Sequence, residues 1–330
     1  MRVRTFTSGY EARATTGPAL PHPTGWFCVG FSGEWAPGDV RTRPFMGGEA
    51  VVYRSRSGAL RATRPHCPHL GAHLGAGGTV EGDLLVCPFH GFAFALDGRC
   101  ARTPYGKPPK ASLDLLPVRE DHGIVWLWHS AGNTPPTWEI PAFPAVARPR
   151  SFLGVDAAGH PQDVAENLLD YGHTCVLHRL DSMEVVQEPR SDGPFISLTY
   201  RVGRSLPLLP PAVQEATFHL VGLGGTLILF HASRLPVRAA QWLLATPTST
   251  GRMRVWTAAN VIATGGRLPA PLHRAVEGAL SSVVNRWTRH DLNDDLRMWH
   301  HKTYLPHPRL NDGDGPIGAY RHWARQFYPG

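Results

Sequence analysis

Two short loops constrain this chain more than any other feature in it. Cys67-Pro68-His69-Leu70-Gly71-Ala72-His73-Leu74 is answered by Cys87-Pro88-Phe89-His90-Gly91-Phe92. Read as ligands, the pattern is Cys-x-His, a gap of seventeen residues, then Cys-x-x-His. Two thiolates (Cys67, Cys87) and two imidazoles (His69, His90) suit a [2Fe–2S] centre in which histidines replace cysteines on one iron. The same four residues could make a structural zinc site. Zinc fingers usually pair Cys with Cys and His with His along the chain, whereas here each loop supplies one of each, which favours iron–sulfur. Prolines and glycines flank both halves, so each is expected to be a tight loop at a hairpin tip with its ligands aimed at one small object.

The rest of the chain is consistent with a folded, β-rich protein around those loops. With 330 residues it can bury a substantial core and form two domains. Its 35 glycines and 31 prolines argue for many turns rather than a helical bundle. The net charge of +7 is scattered rather than grouped, which gives little support to nucleic-acid binding and suits steering of an acidic electron-transfer partner. Cys28, Cys100 and Cys175 are left over from the loops. An odd remainder without a secretory signal reads as reduced thiols in a cytoplasmic protein. Met1 to Arg13 has no apolar signal-like run, and nowhere is there the ~18-residue apolar stretch of a membrane span.

Residues 1–24 are polar and punctuated by Pro and Gly, and read as an arm. From Gly25, short apolar runs bounded by turn residues predict a small antiparallel β domain: 26–31, 49–53, 84–86, 92–96 and 124–128. Asn133-Thr134-Pro135-Pro136-Thr137-Trp138 reads as a linker, dividing the chain into 25–135 and 136–330. Beyond it, strands are expected over 195–202, 215–221, 227–232, 241–246 and 253–260, with a hairpin turn at Thr248-Ser249-Thr250-Gly251. From Pro271 the period changes. Val276, Leu280, Val284, Trp287, Asp291, Asp295 and Met298 step by three and four, predicting a long helix with that stripe as its buried face. Strands followed by a long helix give an α+β fold, an antiparallel sheet flanked by helices in the second domain.

Asn167-x-x-Asp170-x-x-His173-x4-His178 is the second chemically suggestive stretch. Two histidines with a distant carboxylate can form the facial triad that leaves positions open on non-haem Fe(II). His173 and His178 are five apart, and on a regular α-helix such residues diverge by ~140°, so a π-type widening or a helix end is expected between them. The predicted C-terminal helix offers the carboxylate, since charge on a buried face is costly unless paired or metal-bound. Periodicity does not separate Asp294 from Asp295. The bland reading is that a chain with 18 histidines contains such pairs by chance and that these aspartates are solvated.

With both stretches in view, the chain after residue 25 resembles the oxygenase component of Rieske non-haem iron oxygenases. The two cluster loops are close to the form in cholesterol 7-desaturases. The tail resembles both those enzymes and 3-ketosteroid 9α-hydroxylases through Asp295-Leu296-Arg297-Met298-Trp299-His300-His301-Lys302, Gly315-Pro316-Ile317, Trp323 and Gln326-Phe327-Tyr328. The resemblance selects Asp295 as the third iron ligand beside His173 and His178. It assigns Asp170 to a carboxylate that links a cluster histidine of one subunit to an iron histidine of the next, and matches Asn167 to a nearby asparagine of less settled role. It further implies a helix-grip-like catalytic domain and a homotrimer. NAD(P)H electrons would be delivered by a reductase, often through a ferredoxin, and O2 used on a bulky hydrophobic substrate, steroid-like or a natural product, by hydroxylation or desaturation. The alternative is an electron carrier that holds only the Rieske cluster. Phe92 stands where many members have Trp, and the N-terminal membrane segment of the animal desaturases is absent. No family motif transfers to the strands between Phe195 and Asn260. Apolar stretches such as 206–210 and 220–230 could line a cavity or be plain core, and His219 and His231 are expected to be structural.

Overall fold

Glycine and proline recur every few residues in the first half, and in the computed structural model the strands there are short. The structure describes residues 4–5, 20–144, 146–206, 209–232, 237–263 and 269–329; for 4–5, 205–206, 209–212, 231–232, 237 and 262–263 it describes the backbone alone. The side chains of the apolar stretch 206–210 and of His231 therefore lie outside the described residues, as does most of residues 1–24.

Three small antiparallel sheets form the front half. Gly25–Phe31 pairs with Ile124–His129, which pairs with Val118–Asp121. Val40–Phe45, Gly48–Arg54, Leu60–Thr63 and Leu115–Leu116 make the second, and Thr79–Glu81, Leu84–Val86, Ala93–Phe94 and Cys100–Arg102 the third. Gly25–Phe31 is an unbroken apolar run because it is buried on both faces: Trp26 and Cys28 point one way, Phe27 and Val29 the other.

The back half is one eight-stranded sheet. Its spatial order is Arg4–Thr5, Ser151–Ala158, Arg252–Ala263, Val237–Ser249, Gly225–Ala232, Leu209–Val221, Phe195–Leu206 and Ser182–Asp192. All neighbours are antiparallel except Arg4–Thr5, which adds two residues of the arm to the edge in parallel. One face of this sheet meets the front half, where Trp242, Leu244, Leu227 and Ala258 pack against Trp26, Trp126 and Trp128. Each such large side chain stabilises the join between halves by roughly 1.5–3 kcal/mol.

The other face carries the helices. α1 (Pro161–Asn167) starts at a proline that has no N–H to leave unpaired, capped by His160. α2 (Tyr171–Val176) is capped by Asp170, and α4 (Ile317–Ala324) packs near α1. α3 (Ala270–His301) lies along Ser151–Ala158 and Arg252–Ala263.

The helix α3 forms as expected, but its buried face does not match the predicted stripe. Glu277, Ser281, Asn285, Leu292, Leu296 and Trp299 face the sheet, while Trp287 and Met298 are about two-fifths exposed (41% and 42%). The reason is that polar residues on the buried face find partners. Glu277 pairs with Arg150 at 2.9 Å, Ser281 Oγ accepts the Val261 N–H at 2.9 Å, and Asn285 Nδ2 donates to Ser151 Oγ at 3.1 Å. A hydrogen-bonded polar group is buried at little net cost, so hydropathy alone selects the neighbouring stripe.

Candidate metal centres

The two front loops share one backbone design. In each, the cysteine N–H donates to the carbonyl five residues on (Cys67 to Ala72, Cys87 to Phe92, both 2.8 Å). In each, a glycine four residues on donates back to the cysteine carbonyl (Gly71 at 3.0 Å, Gly91 at 3.1 Å). Both glycines have positive φ, +73° and +67°, which turns the chain back so sharply. The second loop is a hairpin tip within one sheet, as expected. The first joins two sheets and is closed by a single bridge, His66 to His73.

This places Cys67 and Cys87 in the buried core and His69 beside His90, ring centroids 4.7 Å apart. Phe92 stacks on the His69 ring at 4.2 Å, an interplanar angle of 9°. His69 Nδ1 is buried with no hydrogen-bond partner, and such an atom is costly unless something takes its lone pair or proton. Burial pushes the Cys67 thiol up to about 11, with the His69 N–H opposing and the adjacent Cys87 thiol adding to the rise. Two thiols and two imidazoles converging from paired loops fit a two-iron cluster, whose loading displaces the thiol protons.

The second centre is built where α2 ends. His173 sits in that helix, and its Nδ1–H donates to the Asp170 carbonyl at 2.7 Å, leaving Nε2 as the free donor atom. The helix stops at Val176, Leu177 donates back to His173 O at 2.7 Å, and Arg179 takes φ +55°. His178 thereby swings to the same side as His173, with ring centroids 5.1 Å apart. The five-residue gap is resolved by a helix end, not by a π-type turn.

Asp295 comes from α3. Its Oδ1 lies 3.3 Å from His178 Nε2 and 4.0 Å from His173 Nε2. Ligand atoms of His173, His178 and Asp295 all fall within 4.8 Å of one another, the sole such group among the described residues. Burial opposes charge on His178, but the hydrogen bond and charge of Asp295, with Asp291 and Asp294 behind it, hold its pKa above the ordinary value. Two imidazoles and one carboxylate meeting in this way, with no fourth such group among the described residues, fit a facial triad.

The neighbouring residues orient these three. Asn167 Nδ2 donates to Asp295 Oδ1 at 3.1 Å. Asp170 Oδ1 accepts the His173 N–H at 3.2 Å, and its side chain remains 35% exposed. Asp294 is outside the group, and Asp291 is bound to Arg204. Arg204 carries no motif and escapes sequence reasoning, as does the buried network in which Glu166 holds Arg321 and Lys302. A cavity lined by Phe143, Arg190, Phe195 and His219 lies at the Phe195 end of its strand, nine residues and so roughly 30 Å from Arg204. It is separate from this centre. Burial lowers the pKa of His219, as suits a structural histidine.

Known proteins place this architecture. Residues 25–119 match the Rieske [2Fe-2S] domain, and residues 127–328 match the family described as 3-ketosteroid 9alpha-hydroxylase C-terminal domain. The chain belongs to that family of Rieske oxygenases. This Rieske oxygenase is 28% identical to the cholesterol 7-desaturase of Bombyx mori over 93% of its own length and 70% of that protein. It is 24% identical to the probable 3-ketosteroid-9-alpha-monooxygenase, oxygenase component, of Rhodococcus rhodochrous, over 94% of this chain and 81% of that one. The fold is that of dicamba monooxygenase bound to dicamba, with a TM-score of 0.65 at 16% identity, covering 94% of this chain and 98% of that chain. The protein is thus a non-haem iron oxygenase using a Rieske cluster, and the zinc and carrier-only readings fall away.

Proposed function

We propose that Cys67, His69, Cys87 and His90 hold the [2Fe–2S] cluster and that His173, His178 and Asp295 hold mononuclear Fe(II). The convergence of two imidazole nitrogens and a carboxylate oxygen within 4.8 Å carries this assignment. When bound, the cluster would supply single electrons and the iron an open site for O2. Asp170 keeps His173 in the tautomer with a bare Nε2, and Asn167 fixes the Asp295 carboxylate.

The substrate we infer is bulky and hydrophobic, steroid-like or a polycyclic natural product, hydroxylated or desaturated at an unactivated carbon. Val202, Phe218, Ile228 and Phe230 support it. Strand register puts them on the same side of the sheet as Arg204, which touches the metal centre, and all but Ile228 are only half-buried. An apolar wall beside an open metal position suits an apolar ligand.

The organisation proposed is an arm (1–24), a Rieske domain (25–135) and a catalytic domain (136–330), assembled as a homotrimer. In it, Asp170 of one subunit bonds a cluster histidine of the next. Leu70 and Phe89 beside His69 and His90 are 66% and 63% exposed, and Val176 near Asp170 is 82% exposed, which supports burial of both patches against a neighbour. Electrons come from NAD(P)H through a reductase, with or without a ferredoxin. Among the described residues no helix is long and apolar enough to cross a membrane. The free thiols Cys28, Cys100 and Cys175 support a cytoplasmic location.

The test is turnover of the iron-loaded protein with a reductase, NADH and a panel of 3-ketosteroids and sterols, read by mass spectrometry. A product gaining one oxygen or losing two hydrogens is expected. Reduction of the cluster without oxidation of any polycyclic probe would remove the substrate assignment.

A further inference from the structure

We propose that Arg204 is the positioning residue for His178, an inference that rests on the ligand assignment above. The two histidines are held in different ways. The His173 ring is fixed by its Nδ1–H bond to Asp170, whereas His178 Nδ1 is buried without a partner. His178 also lies beyond the last residue of α2 and just before the positive-φ Arg179, so helix hydrogen bonding does not set its place.

Its carbonyl does. Arg204 Nη2 donates to His178 O at 2.7 Å. The same guanidinium reaches both oxygens of Asp291, at 3.1 and 3.3 Å, and lies over the Trp287 ring at 5.6 Å. Asp291 is one turn before Asp295 on α3. Arg204 therefore ties the loop that carries one ligand to the helix that carries another. A planar fork with several donors makes these contacts at once, and a lysine ammonium on a flexible stem does so less well. Trp287 and Asp291, on the stripe that sequence periodicity assigns to the core, serve instead as the seat of this arginine.

The test is titration of protein carrying its cluster, but stripped of mononuclear iron, with Co(II), read by the visible bands of the bound ion. Wild type binds a single Co(II) at this centre and His178→Ala does not. Arg204→Gln binds it about 10–100-fold more weakly, as is usual when the support of a metal ligand is removed, with shifted band positions. Asp291→Asn loses a similar factor. The double variant loses no more than the weaker-binding single one, because the pair acts as a unit. Arg204→Lys recovers part of the affinity and, with Asp291→Asn, keeps the test available where Arg204→Gln fails to fold. Arg201→Gln, whose arginine pairs with exposed Glu184 on the neighbouring strand, binds as wild type. Unchanged affinity and bands in Arg204→Gln and Asp291→Asn overturn the proposal, as does an equal loss in Arg201→Gln. A wild type that binds no Co(II) overturns the ligand assignment and this inference with it.

Discussion

Asn167 donates its side-chain amide to the Asp295 carboxylate at 3.1 Å, joining residues 128 positions apart. One ends α1 and the other lies about four-fifths of the way along α3, so the bond crosses the candidate metal centre from one helix to another. It occupies one lone pair of Oδ1 and fixes the plane of the carboxylate. Asn167→Ala is expected to weaken Fe(II) retention about 10–100-fold while leaving the cluster spectrum unchanged. The rate at which a chelator strips the mononuclear iron reads this directly. A rate equal to wild type would make the contact incidental.

The residue before Asn167 anchors that helix. Glu166 accepts two bonds from Arg321, at 2.6 and 3.0 Å, and Lys302 Nζ reaches it at 3.4 Å and Asp163 at 3.0 Å. Glu166 and Arg321 side chains are only 9% and 13% exposed. Glu166→Ala leaves the Arg321 guanidinium, 13% exposed, without its paired carboxylate, and a loss of about 3–5 kcal/mol is expected from urea unfolding. Glu166→Gln, which keeps the shape and part of the hydrogen bonding, loses less. Equal stability of Glu166→Ala and wild type would contradict this account of the network.

His160 gives the fold a pH dependence. Its Nδ1 accepts the Gln162 N–H at 3.1 Å and its Nε2–H faces the Pro21 carbonyl at 3.2 Å, the neutral tautomer. Burial lowers its pKa to about 4, the charge of Asp163 opposing. The unfolded chain, with an ordinary pKa near ~6.5, then takes up a proton that the folded chain refuses. This contribution to stability is complete above ~6.5 and is lost as pH falls toward about 4, with a slope of at most ~1.4 kcal/mol per pH unit. His160→Gln should flatten the fall in urea midpoint between pH 7 and about 5. An unaltered slope would show that His160 is not the source.

Much of this was legible in the sequence. The strands announce themselves as apolar runs between Gly and Pro, and the four cluster residues lie in two local loops. His173 and His178 are readable as a pair because the chain itself ends the helix between them. The buried face of α3 was not legible. Glu277, Ser281 and Asn285 are buried only because Arg150, Val261 and Ser151 meet them, residues more than a hundred positions away for the first and third. Hydrophobic periodicity contains no record of such partners. For the same reason Asp295 could not be told from Asp294 by spacing, and Arg204, 87 positions from Asp291, left no signal at all.

The most direct test of the two-centre account is iron per chain, measured together with cluster absorbance, in wild type and in His178→Ala. About three irons in wild type and about two in the variant, with the cluster bands unchanged, are predicted. Two irons in both proteins, or a full third iron retained without His178, would contradict it.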